Sequence, residues 1–72
     1  MEIDEVREHL KAAEIALIEA TKVDQRARAA ALRTGRVASY LAGPEVRALA
    51  KAREDFSMWA AFLAFGTRPR QH

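Results

Sequence analysis

The stretch Phe56-Ser57-Met58-Trp59-Ala60-Ala61-Phe62-Leu63-Ala64-Phe65 constrains this chain more than any other. Read as a helix end, it is apolar on nearly every side, whereas a surface helix of a small globule needs only one apolar stripe about 100° wide. On the helical wheel Phe56, Ala60 and Leu63 share one face. Trp59 and Phe62 turn progressively away from it, and Met58 and Phe65 lie further round. Burying each large apolar side chain is worth about 1.5–3 kcal/mol, so leaving these aromatics in water would forfeit much of a small domain's stability. Other helices of the chain, or a partner, must cover them.

The size of the chain sharpens that demand. Seventy-two residues make one domain, read here as residues 1–66 with a polar tail at 67–72. A single core of this size supplies only a few kcal/mol, and such chains usually add disulfides, a metal or an oligomer interface. The chain has no cysteine, which excludes disulfides and thiolate metal sites. Two histidines, His9 and His72, do not build a structural zinc site without carboxylate help, so no metal or other cofactor is expected. Helix packing and self-association remain.

Helix punctuation is clear at one place. Gly43-Pro44 sets a helix-ending glycine before a proline suited to the first turn of the next helix, and Glu45 follows near that helix's positive end. The pattern predicts a last helix from about Pro44 to Phe65, stopped by Gly66. Upstream, residues 3–42 lack proline, and Ile3, Val6, Leu10, Ala13, Leu17, Ala20, Ala27, Ala31 and Ala38 keep helical spacing. Gly35 reads as an interior residue costing about 1 kcal/mol relative to alanine. A weak turn signal lies at Thr21-Lys22-Val23-Asp24, which fits a capping box, with Asp24 as a further N-cap candidate.

Two all-α arrangements follow. The expected one turns at 21–24 and forms a small three-helix bundle, in which the bulky face of the first helix covers Trp59 and Phe62. The alternative is a long helical hairpin in which the last helix folds back along the second half of residues 3–41. That register sets Phe56 near Ala30 and Ala31, Ala60 near Ala27, and Leu63 near Val23 and Ala20. Ile3, Val6, Leu10 and Leu17 are then left without partners, so the hairpin would dimerise.

Charge is uneven along the chain. Residues 1–19 balance at −4 and residues 20–53 at +6, and the whole chain at +2. Lys22, Arg26, Arg33 and Arg36 fall within about 80° of one another on a helical wheel, opposite the alanine face. Such a stripe can neutralise phosphates with strongly salt-dependent affinity, but no aromatic residues interleave with it, which favours a solvated face. Residues 37–53 loosely resemble a helix-turn-helix, with Ala38 at the helix contact and Arg47 and Lys51 facing a groove. Glycine comes one position later than that turn places it, which weakens the resemblance.

Catalysis finds no constellation. Ser39, Ser57, Thr21 and Thr34 have no histidine at local spacing, and no glycine-rich phosphate loop exists. Glu5 and His9, one turn apart, read as an exposed acid–imidazole pair. Glu8, Glu14 and Glu19 read as solvated surface. Arg53 occupies the face defined by Val46, Leu49, Phe56, Ala60 and Leu63, either snorkelling to water or pairing with Glu14 or Glu19.

The N-terminus is acidic where a leader would be basic, and the longest apolar run is about half of the ~20 residues that span a bilayer. No membrane association is expected, and a cytoplasmic location is the simplest reading. The sequence therefore predicts a small non-enzymatic helical adaptor or inhibitor, of the accessory type found in phages and other mobile elements. It would act through helix-surface contacts with a protein partner or itself, with Met58, Trp59, Phe62 and Phe65 at the interface. The alternative is a nucleic-acid binder using Lys22, Arg26, Arg33 and Arg36, with or without Arg47 and Lys51.

Overall fold

The structure, a computed structural model, describes residues 2–66. Met1 and the polar tail assigned to 67–72 lie outside the described residues. The architecture is all-α: α1 spans Ile3–Thr34, α2 Val37–Leu41 and α3 Pro44–Phe65.

α3 occupies the span that its flanking signals predict. Pro44 sits in its first turn, and Gly66 closes it in the left-handed region at φ 74°. Gly43 serves a different purpose, close approach. A Cβ there would lie 3.1 Å from the Tyr40 carbonyl oxygen and 3.2 Å from that of Ser39, so a side chain would require the turn into α3 to give by a few tenths of an ångström.

The first helix corrects the expected three-helix bundle, because α1 runs unbroken through 21–24. The residues that fit a capping box make other bonds. Thr21 Oγ1 donates to the Leu17 carbonyl at 2.7 Å, a back-bond within the helix. Asp24 accepts from Tyr40. Gly35 is also not an interior residue. It ends α1 at φ 71°, and the Arg36 N–H returns to the Ala31 carbonyl at 2.9 Å, which satisfies an end carbonyl.

α1 and α3 form an antiparallel hairpin, with the short α2 folded against the end of α1. Two observations fix the register. The His9 and Trp59 rings stack, and Ile3 and Val6 line a notch with Phe62 and Leu63. α3 therefore lies along the first two-thirds of α1, not the second half. The hairpin register that set Leu63 near Val23 and Ala20 is corrected accordingly. The cause is α2, which turns the chain back along the last turns of α1, so that α3 begins near the level of Asp24. Val6 is consequently buried at 3% exposure, and Leu10 and Leu17 are half-buried, where the hairpin reading left them bare.

The core is slight. Val6, Ala13, Ala31, Leu49 and Ala52 are buried, yet among the described residues no large side chain is fully enclosed. The Cα envelope measures 47 × 26 × 14 Å, so its short dimension spans no more than two packed helices. Domains normally enclose a core between two layers. Here α1 packs on α3 with α2 at one end, and among the described residues no further element covers them.

Candidate functional site

The apolar end of α3 is partly covered. Trp59 lies parallel to the His9 ring, with centroids 4.3 Å apart and planes 8° apart, and tilts against Phe62 at 6.0 Å. Met58, Trp59 and Phe62 are half-buried, whereas Phe65 stands 78% exposed. The structure thus brings Trp59 and Phe62 together and leaves Phe65 apart at the tip. Below them opens a notch of about 260 Å³ lined by Ile3, Val6, Phe62, Leu63 and Gly66.

Arg53 is exposed, and among the described residues it makes no ion pair with Glu14 or Glu19. It sits at the edge of the packed face. Ala52 and Leu49 are the residues that turn into α1. With the face centred there, Trp59 moves inward, which explains its contact with His9. The Glu5–His9 pair does not form a hydrogen bond, since the imidazole is turned to the indole.

The basic residues divide. Lys22, Arg26 and Arg33 are exposed on α1 and carry no ion pair among the described residues. Arg36 leaves the stripe, because it lies beyond the end of α1 and caps α2 in a non-helical conformation at φ −102°, ψ 42°. Arg47 donates from Nη1 to the Ala42 carbonyl at 2.8 Å, closing the turn before α3. Lys51 pairs with Asp55 at 3.3 Å, both well exposed. In the segment compared with a helix-turn-helix, the first helix is only five residues long.

A second surface was not foreseen. Arg28, Ala31, Leu32, Val37, Tyr40 and Leu41 line a groove of about 400 Å³ where α2 meets α1. Leu32 and Leu41 are 65% and 62% exposed there, so the groove is apolar and open. Tyr40 fixes it in place by donating to Asp24 Oδ1 at 2.7 Å. That bond, helped by burial and by the Asp24 charge, raises the Tyr40 phenol above its ordinary pKa. The one available signal was Leu32, an apolar residue out of step with the buried stripe.

No group of three or more His, Asp or Glu side chains that could hold a metal occurs among the described residues. None of the described helices is long and apolar enough to cross a membrane. The molecule is a thin helical hairpin whose apolar residues exceed what its own core encloses. No protein-family model, curated protein or solved structure matches the chain.

Proposed function

We propose that this chain is a small non-enzymatic interaction protein that presents helix surface to a protein partner or to a second copy of itself. The observation that carries this reading is the unfilled layer. Among the described residues, a hairpin 14 Å thick encloses no large side chain fully, while Ile3, Leu32, Leu41 and Phe65 each remain more than half exposed. These residues form two exposed apolar surfaces, one at each end of the hairpin, and large exposed apolar patches mark interaction sites. Aromatic residues and Met at α3's end supply the side chains enriched in interface cores.

Affinity capture from the native host, with wild type beside Phe65→Ser and Leu41→Ser, tests the reading. The wild type retains a protein, or assembles with itself, and at least one exposed-site variant loses that while keeping its helical circular dichroism. A wild-type chain that captures nothing and stays monomeric contradicts it.

Nucleic-acid binding is the second reading. Lys22, Arg26 and Arg33 favour it, as exposed cations on one helix without carboxylate partners among the described residues. It is the weaker of the two, since Arg36 has left the stripe and Arg47 and Lys51 are engaged within the chain.

A further inference from the structure

The groove between α1 and α2 has a specific chemistry: exposed apolar Leu32, Val37 and Leu41 line it together with the cationic Arg28. Arg28 is exposed and has no ion-pair partner among the described residues. An occupant that matches needs an apolar side chain and a carboxylate one helical turn apart. The chain itself carries that pair on the same face of α1, as Leu10 and Glu14.

The two pairs are arranged symmetrically. Leu10 precedes Thr21 by the same eleven residues by which Leu32 follows it, and Glu14 and Arg28 stand seven residues to either side. All five fall within about 40° on the wheel, on a flank of α1 roughly 70° from the direction of α3. An axis through Thr21 perpendicular to α1 therefore sets Leu10 of one protomer on Leu32 of its partner, and Glu14 on Arg28, twice over. Leu17 and Ile18 flank the axis and add apolar surface, Ile18 being 47% exposed.

Building on the interaction reading above, we infer that the Arg28–Leu32 groove is the seat of a second copy of this chain, whose α1 enters antiparallel and places Leu10 and Glu14 in it. Three features support that occupant. The charge gradient along the chain, −4 over residues 1–19 and +6 over 20–53, attracts an antiparallel copy and repels a parallel one. The arrangement is self-complementary and closes at two chains. α1, 32 residues and about 48 Å long, gives an antiparallel pair a seam that runs the length of the hairpin. Beyond Asp24, α1 has among the described residues the five-residue α2 packed beside it, which leaves its flank at Arg28 and Leu32 exposed to accept another helix.

Charge reversal tests the pairing. Mass by light scattering is measured for wild type, Arg28→Glu, Glu14→Arg and the double exchange. Wild type forms a dimer, each single reversal weakens it at least tenfold, and the double exchange restores it. Because the native chain has no cysteine, Thr21→Cys gives a second readout that does not depend on charge. Mild oxidation links two copies through residue 21, while Ala12→Cys on another face stays unlinked. A dimer indifferent to both reversals, or linking equally from residue 12, overturns this interface and leaves the interaction reading standing. A chain that is monomeric throughout overturns the interface, and one that also captures no host protein overturns both.

Discussion

Trp59 lies flat against His9, their ring centroids 4.3 Å apart, and this contact sets how far α3 runs along α1. The pair joins the N-terminal part of α1 to the C-terminal part of α3, fifty residues apart in sequence. Trp59→Ala should cost about 3 kcal/mol, the lower end for a large aromatic because the ring is only half-buried. His9→Ala should cost about 1 kcal/mol, the worth of the stack beyond its area. Urea titration followed by circular dichroism measures both. A stable Trp59→Ala would place the indole outside the fold's support and make it a partner-facing anchor.

Ala52 is buried where α3 meets α1, with 8% of its surface exposed. Ala52→Leu forces the helices apart and should destabilise by about 1–3 kcal/mol. Leu49→Ala, one turn earlier, should cost about 2–5 kcal/mol by leaving a cavity. Either variant melting like wild type would contradict this packing.

The Tyr40–Asp24 bond predicts a pH effect. The hydrogen bond raises the phenol's pKa above its ordinary 10.0, so the folded state holds that proton more tightly than the unfolded chain. The stabilisation is therefore complete below pH 10 and is lost as pH rises through the raised value. Melting temperature should fall more steeply above pH 10 in wild type than in Tyr40→Phe, which should also melt lower at neutral pH. Parallel curves would show that the bond contributes nothing.

Much of the fold was legible because the residues that specify it act locally. Gly43-Pro44 and Gly66 mark α3's ends by backbone preference alone, and the 3- and 4-residue spacing gives the helical class. Thr21 and Asp24 were not legible in this way. Both fit a helix start, and what decides against it is Tyr40, sixteen residues further on, which takes Asp24 as its acceptor. The hairpin register failed for a related reason. Gly35 reads equally as a tolerated interior glycine and as a cap, and only the cap produces α2 and shifts α3 along α1. Trp59 turns further inward than a face containing Arg53 implies, because Ala52 lies at the centre of the packed face. The groove at Leu32 depends on α2, so the sequence alone gave no outline of it.

For the basic stripe, duplex DNA binding should be weak or absent at physiological salt. Any binding seen at low salt should fall steeply as salt rises and vanish in the Arg26→Glu, Arg33→Glu double variant. Fluorescence anisotropy across a salt series measures this. Sequence-specific, submicromolar binding at physiological salt would promote the nucleic-acid reading over the protein-interaction one.

The central claim is that a hairpin this thin is completed by association, and mass against concentration tests it most directly. Light scattering after size exclusion, from about 1 to 100 µM, should show assembly rising from the 8.0 kDa chain to twice that mass at micromolar concentration. A folded chain that holds at 8.0 kDa across the whole range would contradict the account.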